Sequence, residues 1–331
     1  MSRKVLVTGC AGFIGSHLTD RLLADGHSVV GIDSFEDYYS RADKENNLES
    51  AVSSPAFTLH DANILDLTAD ARCAQHDRGI DSSLSSLLAD CDCVYHLAAQ
   101  AGARSSWGSS FDVYTRNNVL ATEQLLEACV TSGVHKVIYA SSSSVYGDQE
   151  ELPLREDMLP RPRSPYGVTK LAGEHLCGLY HANYQLDTVS LRFFTVYGPR
   201  QRPDMAFNRF MRAMLEDRDI VVYGDGRQTR DFTYVDDIVD GLVLAQTAPP
   251  GAVMNLGGGN RVSLTEAIAT LGDVIGVQPR LDVRSVEAGD VRDTWADVSR
   301  ARDLINYRPT TKLAAGMAQE YAWMTAKGSA V

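Results

Sequence analysis

A tyrosine and a lysine lie four residues apart in the segment "SPYGVTK", at Tyr166 and Lys170. On a helix this spacing brings both side chains to one face. A phenol, with a pKa of about 10, is a poor base at neutral pH, but a neighbouring ammonium group favours the phenolate and lowers that pKa. The pair could therefore take a proton from a substrate hydroxyl group. Because the spacing is common on helices, the surrounding sequence must decide between catalysis and chance.

Arginines are concentrated in the segment "LRFFTVYGPRQRPDMAFNRF", although the whole chain has a formal net charge of −12. Arg192, Arg200, Arg202 and Arg209 lie there, opposed only by Asp204. Guanidinium groups bind phosphates and carboxylates through paired hydrogen bonds. The segment therefore predicts a bound anion.

Three glycines in "TGCAGFIGS" follow an apolar, strand-like run and open a helix-like one. In this context a tight turn lets the backbone approach a pyrophosphate at the helix N-terminus. A carboxylate at Asp33, the end of the next strand, can accept both ribose hydroxyls and would repel a 2′-phosphate, which favours NAD over NADP. The predicted NAD site comprises Gly9, Gly12, Phe13, Ile14, Gly15 and Asp33. A purely structural strand–helix turn is the alternative.

Short apolar runs alternate with longer amphipathic runs up to about residue 195. Such alternation is typical of parallel strands joined by helical crossovers. We predict an α/β fold: a Rossmann-type doubly wound parallel sheet with a smaller C-terminal α/β substrate-binding lobe. The predicted domains are an NAD-binding domain over residues 1–194, which carries the catalytic group, and a mainly substrate-binding lobe over 195–331, with a discontinuous boundary. Residues 67–83 are predicted to form a loop.

These motifs, together with "HLAA" at residues 96–99, resemble the extended short-chain dehydrogenase/reductase family, which contains NAD-dependent epimerases and dehydratases. The resemblance covers nearly the whole chain. It implies that Tyr166, Lys170 and Ser142 in "YASSSSVYG" are catalytic, and that Tyr166 and Lys170 also contact NAD. It further implies that Asp61 and Ala62 meet the adenine.

Dehydratases of this family carry an Asp-Glu pair just before "VYG", and uronate decarboxylases carry a Glu there. This chain has Ser143 and Ser144 at those positions. Since no second acid–base pair is present in the motif, elimination is not expected.

The substrate implied by the resemblance is a nucleotide sugar, and Arg230 and Arg292 stand where relatives hold its diphosphate or the adjoining ribose. Thr195, "GPRQRPDMAF" and "AGARSSW" look like the UDP-glucuronate 4-epimerases of the family. By that resemblance Arg202 would bind the C6 carboxylate, and Thr195 and Ser143 would add hydrogen bonds. The implied substrate-binding residues are Arg104, Ser143, Thr195, Arg202, Arg230 and Arg292.

The expected reaction inverts C4 of UDP-glucuronate and gives UDP-galacturonate. Tyr166 takes the O4 proton while the C4 hydride passes to NAD, which leaves a 4-keto uronate. This species is a β-keto acid, which loses CO2 when the breaking bond overlaps the carbonyl π system. Arg202 could hold the carboxylate out of that alignment until the hydride returns to the other face of the sugar. NAD would then remain bound throughout.

Three alternatives stay open at this point. The first is a 4-epimerase of neutral sugars such as UDP-glucose or a UDP-N-acetylhexosamine. The second is a UDP-glucuronate decarboxylase, which the absence of Glu before "VYG" disfavours. The third is a catalytically silent NAD-sensing module, since this fold also hosts such proteins.

The composition favours a soluble intracellular enzyme or binding protein. A pI near 5.1 argues against nucleic-acid and membrane-surface partners. Six cysteines, including Cys73, have no paired metal-ligand spacing, so we expect reduced thiols, no metal site and a cytoplasmic location. Relatives commonly dimerise through two helices, which implies a homodimer formed by the helices near 111–132 and 166–184.

Overall fold

A computed structural model of the protein describes residues 2–67, 83–285 and 289–326. Most of the loop predicted over residues 67–83, together with Cys73, lies outside the described residues. All element bounds below refer to the described part of the chain.

A seven-stranded sheet forms the centre of the fold, and every neighbouring pair of its strands is parallel. Its strands are β1 (Lys4–Thr8), β2 (Ser28–Asp33), β3 (Phe57–Asp61), β4 (Cys93–His96), β5 (Lys136–Ser142), β6 (Asp187–Phe193) and β10 (Val253–Leu256). The strand order is β10-β6-β5-β4-β1-β2-β3. The predicted doubly wound α/β fold is confirmed.

The strands of this sheet are buried on both faces because helices cover them. Val5, Leu6 and Val7 of β1 are fully buried, and Val94 and Tyr95 of β4 are equally inaccessible. Such continuous apolar runs are typical of parallel sheets. The chain reverses its direction of winding between β1 and β4, and ligands of open α/β sheets bind at the carboxyl end of the strands at that point.

Two small sheets lie in the C-terminal part of the chain. One contains β7 (Val196–Tyr197), β9 (Thr229–Tyr234) and β11 (Asn260–Ser263), and the other pairs β8 (Ile220–Tyr223) with β12 (Leu281–Arg284). By contrast, β10 from the same part of the chain joins the large sheet through β6. The C-terminal part therefore contributes both to the small sheets and to the central one.

Helices of very different length connect the strands. Their bounds are α1 (Phe13–Ala24), α2 (Arg41–Asn47), α3 (Glu49–Val52), α4 (Leu84–Leu88), α5 (Phe111–Thr115), α6 (Ala121–Ser132), α7 (Pro165–Tyr184), α8 (Ala206–Leu215), α9 (Val235–Leu244), α10 (Leu264–Ile275), α11 (Ser299–Ile305) and α12 (Leu313–Ala326). A π-helical turn, Arg116–Leu120, joins α5 to α6. None of the helices in the described ranges combines the length and the apolar composition that a membrane span requires.

The helix that carries the predicted tyrosine and lysine has a well-defined start. The Ser164 hydroxyl accepts a hydrogen bond from the Gly167 amide, and Pro165 occupies the first helical position, where a missing N–H costs nothing. Gly173 of the same helix packs against Tyr139 of β5, since a Cβ there would lie 2.1 Å from the tyrosine hydroxyl oxygen. Helix α7 is therefore held closely against the central sheet.

Candidate active site

A cavity of about 510 Å³ opens at the carboxyl ends of the central strands. The predicted site residues that line it are Gly9, Gly12, Phe13, Ile14, Gly15, Asp33, Ala62, Ser142, Ser143, Tyr166, Lys170, Thr195 and Arg202. The other four predicted residues, Asp61, Arg104, Arg230 and Arg292, do not line it. One cavity thus joins the predicted dinucleotide site, the catalytic group and the carboxylate-binding arginine.

The glycine turn between β1 and α1 packs too closely against neighbouring backbone to admit side chains. Gly9 has a φ of +70°, and a Cβ there would lie 2.9 Å from the backbone of Ala98. A Cβ on Gly15 would lie 2.0 Å from the Gly9 carbonyl oxygen. This close packing therefore requires glycine, and the turn lies in the cavity wall at the N-terminus of α1, where a pyrophosphate could bind.

Asp33 ends β2 beside this turn and is almost fully buried. Its carboxylate accepts hydrogen bonds from the Ala11 and Phe35 amides at 3.1 and 2.9 Å, and the Lys44 ammonium lies 3.9 Å away. Burial raises the pKa of Asp33, while these amides and Lys44 act in the opposite direction. The carboxylate is therefore fixed at the cavity wall, where a ribose would be expected.

The two residues predicted to meet the adenine are placed differently. Ala62 lines the cavity and donates its amide to the Asp33 carbonyl. Asp61 is half exposed, and its carboxylate binds the Arg41 guanidinium at 2.6 Å. Of the pair, the structure brings only Ala62 to the cavity.

Tyr166 and Lys170 lie on α7, Ser142 ends β5, and all three line the cavity. The Lys170 ammonium donates to the Ala140 carbonyl at 2.8 Å, and burial lowers its pKa to about 8. Burial raises the pKa of the Tyr166 phenol, whereas the Ser142 hydroxyl and then the Arg202 guanidinium lower it. Ser142 and Arg202 are thus the principal groups that favour the phenolate.

Arg202 already holds a carboxylate. Its Nε and Nη2 atoms donate to the two oxygens of Asp204 at 2.9 and 3.0 Å, and the Tyr38 hydroxyl donates to the same carboxylate at 3.2 Å. The guanidinium lies 5.5 Å from the centre of the Tyr38 ring. This side chain can therefore form the paired hydrogen bonds that carboxylate recognition requires.

The other predicted arginines form a separate group next to the cavity. Arg104 follows the cavity-lining residue Ala103, binds both oxygens of Asp290 at 3.1 and 2.6 Å and stacks over Tyr223. Arg230 donates to the Arg292 carbonyl at 3.0 Å. Burial lowers the pKa of Arg230, whereas the Arg292 side chain is 69% exposed. The structure brings the three arginines together, outside the cavity itself.

A buried ion pair joins α7 to β6. Glu174 lies one helical turn after Lys170, and its carboxylate binds Arg192 of β6 through two hydrogen bonds of 2.9 and 2.8 Å. The Ser141 hydroxyl donates to the same carboxylate, and the guanidinium stacks 4.7 Å from the centre of the Tyr146 ring. Arg192 therefore has a structural role, which links α7 to the strand ends below the cavity.

The model of the NAD-dependent epimerase/dehydratase family matches residues 5–257. This protein belongs to that family. It is 42% identical to an uncharacterized UDP-glucose epimerase of Bacillus subtilis, an alignment that covers 97% of this chain and 98% of the relative. It is 37% identical to a UDP-glucuronate 4-epimerase of Thermodesulfobacterium geofontis over 96% of this chain and 95% of the relative.

Among solved structures, the protein is similar to UDP-glucuronic acid 4-epimerase from Bacillus cereus in complex with UDP-glucuronic acid and NAD. The TM-score is 0.91 at 44% identity, with 98% of this chain and 99% of the other covered. The family is NAD-dependent, and the glycine turn and the buried Asp33 of this protein fit that cofactor.

Three residues close to Tyr166 or Arg202 were not predicted as site residues from the sequence. Tyr38 lines the cavity beside Arg202, the Tyr114 ring packs edge-on 6.2 Å from the Tyr166 ring, and Asp204 binds Arg202. Asp204 had one usable signal, its position two residues after Arg202 in the basic segment. The tyrosines had none, because only the folded chain brings them to the site.

Proposed function

We propose that this member of the epimerase/dehydratase family is an isomerase that interconverts UDP-glucuronate and UDP-galacturonate through a transient 4-keto intermediate without loss of CO2. The observation that carries the proposal is the position of Arg202. Its guanidinium lies in the wall of the cavity that also contains Tyr166 and holds a carboxylate, that of Asp204, in paired hydrogen bonds. The relatives named for UDP-glucuronate support the same substrate.

The proposed catalytic residues are Tyr166, Ser142 and Lys170. The glycine turn and Asp33 would hold NAD, which would supply the acceptor and donor for the C4 hydride. Tyr166 removes the O4 proton. The Ser142 hydroxyl and the Arg202 charge lower the pKa of its phenol and so favour the phenolate. Lys170 lines the cavity and donates to the Ala140 carbonyl, and its pKa of about 8 leaves it mainly charged at neutral pH.

Arg202, Thr195 and Ser143 are the proposed carboxylate site. The hydroxyls of Thr195 and Ser143 line the same cavity as the guanidinium and can donate hydrogen bonds to a carboxylate. A carboxylate held by a guanidinium fork has a fixed plane. Decarboxylation of a β-keto acid requires the breaking bond to overlap the carbonyl π system, so a fixed plane can prevent it while the sugar ring turns over.

We assign the diphosphate to Arg230 and Arg292, with Arg104 beside them. Burial lowers the pKa of Arg230, so a bound anion would stabilise the charged form of its guanidinium. If Arg104 binds the substrate, a substrate oxygen must replace at least part of its contact with Asp290. The C-terminal lobe proposed over residues 195–331 supplies two of these three arginines.

A second candidate function, 4-epimerisation of UDP-glucose, is favoured by one observation: the Bacillus subtilis relative, named a UDP-glucose epimerase, is 42% identical to this chain. It would use the same proton and hydride transfers. It would leave the Arg202 fork without a substrate carboxylate to bind.

We further propose a cytoplasmic homodimer. Leu120, beside α6, and Val168 and Leu179 of α7 are between 48% and 56% exposed, and the two segments pack against each other. Apolar side chains on adjoining helices fit a second copy of the same pair. The described cysteines are free and buried, which supports a reducing compartment.

The experiment that tests the function is NMR of the purified protein with UDP-glucuronate and no added cofactor. Appearance of UDP-galacturonate, approaching a stable mixture without CO2 release, is the expected result. It would also indicate that NAD is retained during purification. Conversion of UDP-glucose to UDP-galactose with no turnover of UDP-glucuronate would instead establish the second candidate.

A further inference from the structure

Asp204 binds only one edge of the Arg202 guanidinium. Its two oxygens accept from Nε and Nη2, the side-on edge of the fork. The Nη1 amino group makes no hydrogen bond to any residue in the described part of the chain. It is not buried, so a ligand can reach it. The side chain lines the cavity and is 18% exposed, so the Nη1/Nη2 edge is the one left for a ligand there.

From this geometry we propose that Asp204 is a positioning residue that sets the substrate preference. It holds the side-on edge of Arg202 and so presents the end-on edge to the carboxylate of a uronic acid. The inference rests on the function proposed above. It adds a residue that does not itself line the cavity and acts through Arg202.

A positioning role has a clear physical basis here. An arginine side chain loses rotamer entropy when it is fixed in one conformation. The bidentate contact with Asp204 and the stacking over Tyr38 fix it before a ligand arrives. A planar fork held at one edge can still donate two parallel hydrogen bonds from the other edge.

The loop that carries both residues is itself anchored. Arg200 has a φ of +64° and binds Asp20 of α1 at 2.7 Å, and the Gly198 amide donates to Glu320 of α12 at 2.9 Å. Asp204 therefore stands on a fixed segment, and its carboxylate receives an additional hydrogen bond from Tyr38. A rigid support of this kind is what orientation of a charged group requires.

The test compares Asp204→Asn with the wild-type protein, both loaded with NAD, by calorimetric titration with UDP-glucuronate and with UDP-glucose. Asn keeps the shape but has only one acceptor oxygen and no charge, so the bidentate contact is lost. We expect the Kd for UDP-glucuronate to rise about tenfold or more, and the Kd for UDP-glucose, which lacks the carboxylate, to stay within about twofold.

The matched control is Asp157→Asn. Asp157 also binds an arginine two residues earlier in the chain, Arg155, at 3.2 Å, but neither residue lines the cavity. This variant should bind both sugars as the wild type does. An equal effect of Asp157→Asn and Asp204→Asn would overturn the proposal, because the effect would then not belong to the site.

Other outcomes also decide the matter. Equal weakening of both ligands by Asp204→Asn would reduce Asp204 to a loop-stabilising residue, and unchanged binding would remove its role. Tighter binding of UDP-glucuronate would mean that Asp204 competes with the substrate for the fork. Each of these overturns the positioning role while the wild type still turns over UDP-glucuronate. Failure of the wild type to do so would overturn the proposed function instead.

Discussion

The ammonium group of Lys170 donates a hydrogen bond to the backbone carbonyl of Ala140 across 2.8 Å, inside the wall of the cavity. The side chain is 4% exposed, and burial lowers its pKa to about 8. The unfolded chain would have a lysine pKa of about 10.4. A cation at this position therefore costs stability at neutral pH, and we interpret its retention as a consequence of catalysis.

Lys170→Met is expected to abolish turnover and yet raise the free energy of unfolding at pH 7 by about 1–3 kcal/mol. The folded state binds the Lys170 proton less tightly than the unfolded state. Its contribution to wild-type stability therefore rises as the pH rises from about 8 towards about 10.4, and this rise should be missing in the variant. Urea unfolding of both proteins between pH 7 and 10 measures it.

The control for this prediction is Lys136→Met. Lys136 is also largely buried, but its ammonium binds Asp187 at 3.0 Å and two backbone carbonyls at 2.8 Å. Its removal leaves several groups without a partner, so that variant should be less stable than the wild type. A stabilised Lys136→Met, or a destabilised Lys170→Met, would contradict the argument.

The buried pair of Arg192 and Glu174 leads to a second prediction. Each side chain is 5% exposed, so removal of one partner leaves an unpaired charge in the interior. Arg192→Met should lower the free energy of unfolding by about 3–5 kcal/mol. The double variant Arg192→Met/Glu174→Leu should recover most of that loss, because two apolar side chains can replace a buried pair. A double-mutant cycle in urea, with turnover recorded in parallel, measures both effects.

Glu320 gives a third prediction, this one about pH. Its Oε2 accepts the Gly198 amide, its Oε1 has no hydrogen-bond partner among the described residues, and burial raises its pKa to about 8. Because the folded state binds this proton more tightly than the unfolded state, stability falls as the pH rises from about 4.5 towards about 8. Glu320→Gln should be similar in stability to the wild type at pH 5. At pH 8 it should be more stable by roughly a few kcal/mol.

A carboxylate with the opposite shift provides the control. Glu266 accepts from the Ser263 hydroxyl and amide at the capping box of α10, and these hydrogen bonds lower its pKa. Its contribution is present at neutral pH and lost as the pH falls through the lowered value. Glu266→Gln should therefore be less stable than the wild type at neutral pH. Thermal unfolding of both variants at several pH values measures these changes in stability. A change in the opposite direction for either variant would contradict the argument.

The sequence was most informative where the structure depends on local spacing. The glycines from Gly9 to Gly15 lie between a strand and a helix that are adjacent in the chain, and Tyr166 and Lys170 lie on one helix. Both arrangements follow from short-range geometry, so they could be predicted. The central sheet followed for the same reason, because its strands alternate with helices in order.

Contacts between distant residues could not be predicted in this way. The pairing of β10 with β6 joins Val253 to Ser190, and VMNL is too short and too mixed in composition to identify as a buried strand. The contacts of Arg104 with Asp290 and of Asp61 with Arg41 depend on where separate loops meet. Asp204 lies beside Arg202 in sequence, but its contact depends on the loop conformation around Arg200.

Arg202 allows the sharpest prediction about the reaction. If its fork keeps the carboxylate out of line with the C4 carbonyl, then Arg202→Met should bind UDP-glucuronate at least about tenfold more weakly and release CO2 with a UDP-pentose by-product in the turnovers that remain. Arg202→Lys keeps the charge but loses the planar fork, since an ammonium cannot donate two parallel hydrogen bonds in a fixed plane.

Arg202→Lys therefore distinguishes the effect of the positive charge from the effect of the planar fork on the carboxylate. Charge alone should recover part of the lost affinity, whereas the share of turnovers that end in CO2 release should remain above that of the wild type. Proton NMR of the sugar products together with measurement of released CO2 gives both quantities in one reaction. If Arg202→Lys keeps CO2 release at the wild-type level, alignment by the fork is unnecessary. If Arg202→Met turns over UDP-glucuronate at an unchanged rate without extra CO2, the guanidinium does not bind the carboxylate at all.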